Sequence, residues 1–399
     1  MIAGAEGEGA GGTFSGTNSF TPDLGLGIFS RFPLRVSASV QGGYDDNINT
    51  AHDFKQNSWF TTANIGLSYD VGTPRTQINL ATSQGITYYF DAANNKWEPN
   101  LNLTLTVNHK ASERLALTLT VYASYQTEPD FQYGLGTNRR AGNYVATQDK
   151  MSVSYMWTPR FSTNTSYTFS AVHYDSSGIG FFEDRYENTI GNEFRFLVMP
   201  TTNLVGEYRF EVTSYDGVQR DSKTQFALAG FDHAFTSRLV SSFRGGAEFR
   251  DYDQFGTKTS PYFEATLRYA LGQDTAVAWT NRYGIEEGDV ALNPTRTTFR
   301  TGLQGTHKFT ARIEGAAELY YTHDNYDSAT IPPGPGGNPP GSFNPAFTED
   351  TFNASLSLRY AVTRYLNVQT AFDHAEVSSG IDLRSYSRNR IWGGLNVTF

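Results

Sequence analysis

Apolar and polar residues alternate with a period of two along almost the whole chain of 399 residues. In the segment 101–107 (LNLTLTV) each Leu or Val is separated from the next by Asn or Thr, and 352–360 repeats the pattern. Such alternation places one face of a β-strand against apolar material and the other against water. Apolar residues at helical spacing are hard to find in any part of the chain. The sequence therefore predicts an all-β protein.

The connections between the alternating segments are short and long in turn. Thr158–Arg160 and Thr236–Arg238 are short, whereas Glu128–Gln148 is long. Short turns at one rim and long loops at the other are typical of outer-membrane barrels. Counting the segments gives about 18 strands, enough for a water-filled lumen. We predict a single transmembrane antiparallel up-and-down β-barrel over 34–399, with short periplasmic turns and long extracellular loops, after a flexible leader or periplasmic segment at 1–33.

A soluble array of β-sandwiches would also contain many strands, and composition separates the two alternatives. The chain has 24 Tyr, 29 Phe and 5 Trp, but only 38% hydrophobic residues and a mean hydropathy of −0.45. The apolar face carries aromatic residues at strand ends, such as Trp59, Tyr69, Tyr125, Tyr269 and Tyr360. Aromatic girdles of this kind mark the two interfaces of a membrane barrel. The pattern favours a multi-pass β-barrel in the outer membrane of a bacterium.

Several other classes are disfavoured by the same residues. A chain without cysteine has no disulfide scaffold and no thiolate metal site, and a net charge of −9 disfavours nucleic acid as a partner. P-loop, H-E-x-x-H and G-x-S-x-G patterns do not occur, and the seven histidines are scattered. We therefore predict no enzymatic activity, no cofactor and no metal site. Asp45, Asp46 and Asn47 could offer oxygen ligands to Ca²⁺, but ordinary turn chemistry explains them as well.

The polar faces of the strands predict a charged, water-filled lumen. The charged residues expected to line it are Arg35, Glu193, Arg195, Glu207, Arg209, Glu211, Arg244, Glu248, Arg250, Glu264, Arg268, Arg282, Arg300, Glu314, Glu318 and Arg359. With Arg390, Asp70 and Asp373 the set has ten arginines and nine acids, which predicts weak ion selectivity. These charges could select solutes or could form a salt-bridged wall without a solute role, and both interpretations stay open.

A simple hairpin register around the turn Met199–Thr202 predicts two cross-strand ion pairs. It sets Arg195 opposite Glu207 and Glu193 opposite Arg209. Opposite charges across a strand pair stabilise a sheet by a few tenths to about 1 kcal/mol.

The two predicted rims differ in charge, and one loop differs in composition. The short turns carry basic residues such as Arg75, Arg114 and Arg364, whereas Asp and Glu dominate the long loops. The loop Asn325–Asp350 contains IPPGPGGNPPG at 331–341, which is too rich in Pro and Gly for regular structure. It could fold inward as a constriction, reach a neighbouring subunit or stay mobile outside. We predict the last of these.

The final strand ends on an aromatic residue. Ile391, Gly393, Leu395, Val397 and Phe399 alternate with polar or small residues up to the last position. A terminal aromatic residue on an amphipathic strand resembles the signal by which the outer-membrane assembly machinery recognises its barrels. Phe399 is therefore the predicted assembly signal.

Two local features carry a family resemblance. Tyr44–Ile48 (YDDNI) follows the first alternating strand, and Thr-x-Arg turns such as Thr158–Arg160 recur between strands. In these features the chain resembles the outer-membrane β-barrel porins of the second type, over about 34–399. That group is loosely related to barrels encoded with exopolysaccharide export systems. The resemblance implies a channel or an export barrel and carries over no functional residues. Separately, the segment 1–33 is too short for a plug domain, which disfavours a TonB-dependent transporter.

Three functions are compatible with these patterns. The first is a porin for passive diffusion of small hydrophilic solutes. The second is a barrel for exopolysaccharide export, with Tyr122, Tyr174, Tyr215 and Tyr320 stacking on sugars in the lumen. The third is a non-conducting surface scaffold. Expected partners are outer-membrane lipid and lipopolysaccharide, the assembly machinery, and either further copies in a homotrimer or the proteins of an export system.

Overall fold

A computed structural model describes residues 34–93, 96–131, 135–137, 139–254, 256–290, 293–331 and 342–399. The leader predicted at 1–33 lies outside the described residues, as does 332–341 of the Pro- and Gly-rich segment. The first ten strands are β1 (Leu34–Asp45), β2 (Ser58–Gly72), β3 (Thr76–Tyr89), β4 (Trp97–Lys110), β5 (Leu115–Gln126), β6 (Tyr144–Thr158), β7 (Phe161–Tyr174), β8 (Arg185–Met199), β9 (Thr202–Tyr215) and β10 (Ser222–Ala234). The others are β11 (Leu239–Tyr252), β12 (Gly256–Leu271), β13 (Thr275–Val290), β14 (Asn293–Lys308), β15 (Ile313–Tyr326), β16 (Ala329–Ile331), β17 (Ser342–Asn344), β18 (Phe347–Ala361), β19 (Leu366–Ser379) and β20 (Tyr386–Thr398).

Eighteen of these strands close into one antiparallel barrel. Each barrel strand pairs with its neighbours in sequence, and β15 pairs directly with β18. The ring closes because β1 pairs with both β2 and β20. The short β16 and β17 pair only with each other, in the loop between β15 and β18. The predicted all-β barrel of about 18 strands is confirmed.

The recurrent Thr-x-Arg turns have a common local cause. The Thr73 hydroxyl oxygen accepts hydrogen bonds from the backbone N–H groups two and three residues later, at 3.3 and 3.0 Å. Thr158, Thr236 and Thr310 make the same two contacts, and so does Thr363, whose turn reads Thr-Arg-Tyr. Hydroxyl-to-backbone bonds of this kind favour a tight turn over a continued strand. They therefore fix the short hairpins along one rim.

The apolar side of the alternation faces outward. Val40 and Ile65 are more than half exposed in mid-strand, and the predicted girdle residues Trp59, Tyr269 and Tyr360 are exposed toward strand ends. An apolar outer band edged by aromatic rings is the surface that a barrel presents to lipid. No helix in the described part of the chain is long and apolar enough to cross a membrane.

The long loops lie at the opposite rim and contain short elements. Helix α1 (Ser177–Glu183) lies between β7 and β8, and a 3₁₀-helix (Asp382–Arg384) lies between β19 and β20. Between β5 and β6 the described residues 127–131, 135–137 and 139–143 fold into the barrel, and they are called the inward loop below.

Candidate functional site in the barrel lumen

Ion pairs between strands that are not neighbours identify the inner wall, because such pairs form only across the interior. Arg209 of β9 reaches Glu264 of β12 at 2.6 Å, and Arg250 of β11 pairs with Glu287 of β13. Register places the other predicted lumen residues on the same face: Arg35, Glu193, Arg195, Glu207, Glu211, Arg244, Glu248, Arg268, Arg282, Arg300, Glu314, Glu318 and Arg359. Their role in solute passage stays a prediction.

The hairpin of β8 and β9 has a register that differs from the predicted one. A bulge at the end of β8 shifts the pairing, so that Glu193 lies opposite Glu207 and Gly191 lies opposite Arg209. The predicted pairs of Arg195 with Glu207 and of Glu193 with Arg209 are therefore wrong. Two like charges face each other instead, which destabilises a strand pair unless a cation lies between them.

Arg244 of β11 supplies that cation. Its guanidinium lies 3.8 Å from Glu193 and 3.7 Å from Glu207, and it donates to Asp232 at 2.9 Å. Arg195 adds a second contact to Glu193 at 2.6 Å. Only 3% of the Arg244 side chain and 4% of the Asp232 side chain are exposed, so the loss of Arg244 would leave the Asp232 carboxylate buried without a cation. Breaking a buried pair from one side costs about 3–5 kcal/mol.

A second buried cluster surrounds Arg250. Its guanidinium lies 3.2 Å from Glu248 and 3.5 Å from Glu211, and it pairs with Glu287. Tyr215 donates to Glu287 at 2.6 Å. Tyr215 is therefore a member of a buried network, which removes it from the surface that a solute could reach.

A third cluster ties the inner wall to the long-loop rim. Arg296 of β14 lies 3.4 Å from Asp324, and Arg384 of the 3₁₀-helix lies 2.9 Å from Asp289 and 2.8 Å from Glu349. With the clusters around Arg244 and Arg250, these contacts make the wall from β8 to β15 largely self-neutralised.

On the wall from β8 to β15, two of the predicted arginines stand apart from these clusters. Among the described residues, neither Arg268 nor Arg282 has an acidic side chain within 4.0 Å, and both are exposed to the lumen. The Arg282 guanidinium lies 5.8 Å from the ring centre of Tyr262. Positive charge available to a passing solute is thus concentrated at a few positions of this wall.

The inward loop is held by charged contacts at both of its ends. Glu128 accepts hydrogen bonds of 2.5 and 3.0 Å from Arg388 of β20, which also donates to Asp45 of β1 at 3.0 Å. Arg140 lies 3.4 Å from Glu128 and pairs with Glu98 of β4. Enclosure of Glu128 opposes its ionisation, but the Arg388 and Arg140 guanidiniums outweigh this and hold the pKa of the carboxyl well below its usual range.

Apolar and backbone contacts carry the inward loop across the lumen. Phe131 packs against a cluster on β19 and β20 that includes Tyr386, while Leu135 packs within a cluster on β5, β6 and β7. Arg300 of β14 donates to the Phe131 carbonyl at 3.1 Å, and Arg185 of β8 donates to the Leu135 carbonyl at 3.1 Å. The loop therefore touches opposite sides of the barrel and narrows its interior.

A cavity of about 290 Å³ remains beside the inward loop. Neutral amides and hydroxyls from the first four strands line one side of it: Gln41, Thr62, Ser83, Asn100, Asn102 and Thr104. The other side carries Glu318 and Asp373, and Asp373 accepts a 2.6 Å hydrogen bond from Ser355. Tyr122 and Tyr320 also border the cavity. Neutral polar groups thus bound one side of the cavity, and the charged groups Glu98, Glu128, Asp130, Arg388 and Arg390 complete its lining.

The residues considered for Ca²⁺ have other partners. Asp45 accepts from Arg388, Asp46 accepts from the Asn389 amide at 2.7 Å, and Asn47 accepts from the Ala51 backbone N–H at 3.0 Å. In the described ranges no three His, Asp or Glu side chains are grouped so as to hold a metal ion.

Comparison with known families identifies the barrel. The model of the family Putative beta-barrel porin 2 matches residues 28–399. The chain belongs to this family. It is an outer-membrane channel protein of the porin class, which confirms the predicted class and location and favours a porin over an export barrel or a surface scaffold.

Solved structures that this porin-family barrel resembles include three proteins of Pseudomonas aeruginosa. OpdK with vanillate has 11% identity and a TM-score of 0.44, with 92% of this chain and 99% of that chain covered. OccK3 (OpdO) has 12% identity and a TM-score of 0.43, with 92% of this chain and 95% of that chain covered. The siderophore receptor PirA has 11% identity and a TM-score of 0.42, with 92% of this chain and 80% of that chain covered. Among curated proteins no match is found.

Proposed function

We propose that this porin-family barrel conducts small hydrophilic solutes by passive diffusion through a passage that the inward loop narrows. The observation that carries the proposal is the anchoring of Glu128 by Arg388 on one wall and of Leu135 by Arg185 on another. A loop tied to both sides of a barrel sets an upper size limit for what passes. The polar cavity beside it provides the room for small solutes.

The favoured route follows the neutral wall of the cavity. A solute that leaves bulk water needs replacement hydrogen bonds, and uncharged amides and hydroxyls supply them at a small desolvation cost. The arginines of the opposite wall are mostly engaged by carboxylates, as Arg244 is by Asp232. We therefore expect neutral polar solutes, such as small sugars, to pass, with weak ion selectivity.

Liposome swelling with sugars of graded size tests this function. Vesicles containing the purified barrel are expected to swell quickly in small sugars and slowly in oligosaccharides, and planar bilayers are expected to show discrete channel currents. A folded, membrane-inserted barrel that passes neither sugars nor ions would refute the proposal. Equal swelling rates in all sugars would refute the size limit set by the inward loop, but would leave passive diffusion through the barrel in place.

The terminal residue is proposed as the assembly signal. Phe399 is 65% exposed, and its backbone exchanges hydrogen bonds of 2.8 and 3.1 Å with Val36 of the first strand. Deleting Phe399 is expected to lower the amount of folded barrel in outer membranes, while replacing it by Tyr is expected to preserve that amount. Equal yields of the deletion and the parent chain would contradict the assignment.

A further inference from the structure

A polar patch lies on the outward face of β6, β7 and β8, in the band where nearby strands present Leu103 and Leu119. We define the patch by Thr147, Asp149, Thr165, Asn188 and Asn192. The direction of its β6 residues follows from alternation, since Ala146 is fully buried inside the barrel whereas Val145 and Met151 are 43% and 53% exposed. Asp149 therefore points away from the lumen.

Asp149 lies between the two aromatic girdles. It pairs across strands with Val121 of β5 and Phe169 of β7, below Tyr125 on the long-loop side and above Tyr155 on the short-turn side. Its carboxylate accepts a hydrogen bond from the Thr147 hydroxyl at 3.1 Å. Within the described ranges no Lys, Arg or His lies within 4.0 Å of it. A carboxylate that faces hydrocarbon without a charged partner is costly and marks a contact site.

The two asparagines of the patch have unused donors. Asn188 accepts from the Tyr167 hydroxyl at 2.6 Å, and Asn192 accepts from the Thr165 hydroxyl at 2.8 Å. Each side-chain carbonyl is thereby engaged within the chain, and the amide N–H groups have no acceptor among the residues that the structure describes. Donors left unpaired in hydrocarbon cost free energy. The patch thus combines an acceptor that needs donors with two donors that need an acceptor.

We propose that this patch binds a second copy of the chain across a two-fold axis near β7. Strands β6 and β8 flank β7, so a two-fold axis there places β6 of one copy against β8 of the other. Asp149 lies in one cross-strand row with Phe169 and Asn188, so the carboxylate of each copy then faces the amide of the partner's Asn188, and the two carboxylates stay apart. Lipid tails offer neither donors nor acceptors, whereas polar contacts between membrane segments supply both. The complementarity of the patch with itself selects the second copy as the occupant.

Cysteine cross-linking tests the interface without background, because the chain has no cysteine. Thr165→Cys, close to the proposed axis, is expected to form a disulfide-linked pair with twice the 44.3 kDa mass in oxidised outer membranes. Leu103→Cys, also outward but four strands from β8, is the matched control and is expected to stay monomeric. Adding Asp149→Leu to Thr165→Cys is expected to reduce the linked fraction to the level of Leu103→Cys.

Two further measurements keep the outcome interpretable. The electrophoretic mobility of unheated samples shows whether each variant is a folded barrel. Native mass spectrometry of the parent chain gives the number of copies in the assembly. Cross-links of Thr165→Cys to a different protein, a three-copy mass, or linking that survives Asp149→Leu would each overturn the proposal. Channel activity is expected to persist in Asp149→Leu, which separates the interface from the proposed function.

Discussion

Arg388 on the last strand of the barrel donates two hydrogen bonds, of 2.5 and 3.0 Å, to Glu128 on the inward loop. The same guanidinium donates to Asp45 of β1, the strand that closes the barrel against β20. One side chain therefore joins the seam of the barrel to the loop that narrows it. Loop position and barrel closure are coupled through this residue.

Glu128→Ala is expected to release one end of the inward loop. Without the carboxylate, Arg388 keeps Asp45 but no longer holds the loop, so the barrel stays closed while the passage widens. Single-channel conductance and swelling in larger sugars are both expected to rise. Glu314→Ala is the matched control, because Glu314 pairs with Arg359 at 3.0 Å and does not touch the loop. Equal conductance of the two variants would contradict the role of the Glu128–Arg388 contact in holding the inward loop.

Arg244→Met is expected to destabilise the barrel by about 3–5 kcal/mol, because it leaves Asp232 buried without a cation and removes the cation between Glu193 and Glu207. Urea unfolding in lipid vesicles measures the change in the free energy of unfolding. Arg268→Met removes an equal charge from an exposed position of the same wall and is expected to change stability by less than about 1 kcal/mol. Similar losses for the two variants would show that net charge, and not the cluster, matters.

Replacing two cavity carboxyls together, Glu318→Gln with Asp373→Asn, is expected to lower the cation-to-anion permeability ratio. These carboxyls border the open cavity, whereas most acids of the opposite wall are engaged by arginines. The reversal potential in a salt gradient across a planar bilayer gives the ratio. Glu314→Gln, which alters a carboxyl already paired with Arg359, is expected to leave it near the parent value. An unchanged ratio in the double variant would place the ion path elsewhere.

Much of the fold is predictable from this sequence because the alternation is a local signal. Each strand shows its own two faces, and the hydroxyl of Thr158 fixes its turn through bonds to residues two and three positions later. The register of β8 with β9 is harder to predict, since it depends on the pairing at the turn, Met199 with Thr202, and on the bulge that follows it, which together set Glu193 opposite Glu207. The bulge lies at the end of β8, so the alternation over the rest of the strand gives no sign of it.

The inward loop is harder to predict because its contacts are distant in sequence. Arg388 lies 260 positions from Glu128, and Arg300 lies 169 from Phe131. The visible signals are Phe131 and Leu135, two apolar side chains in a loop otherwise rich in polar residues. The more conspicuous Pro- and Gly-rich segment lies outside the described residues, so its predicted position stays a prediction.

The order of α1 is expected to depend on pH through Glu183. This carboxyl is buried, and burial raises its pKa to about 7 against the opposing charge of Arg220. In the disordered segment the group has an ordinary pKa near 4.3, so between these values only the ordered segment holds the proton. Order is therefore favoured at low pH and is lost as pH rises through about 7.

Amide exchange of Ser177–Glu183, corrected for intrinsic rates, is expected to be faster at pH 8 than at pH 6, and Glu183→Gln is expected to remove this difference. Asp216→Asn, at an exposed carboxyl of the neighbouring loop, is expected to preserve it, and a pH difference that persists in Glu183→Gln would assign the effect to another group.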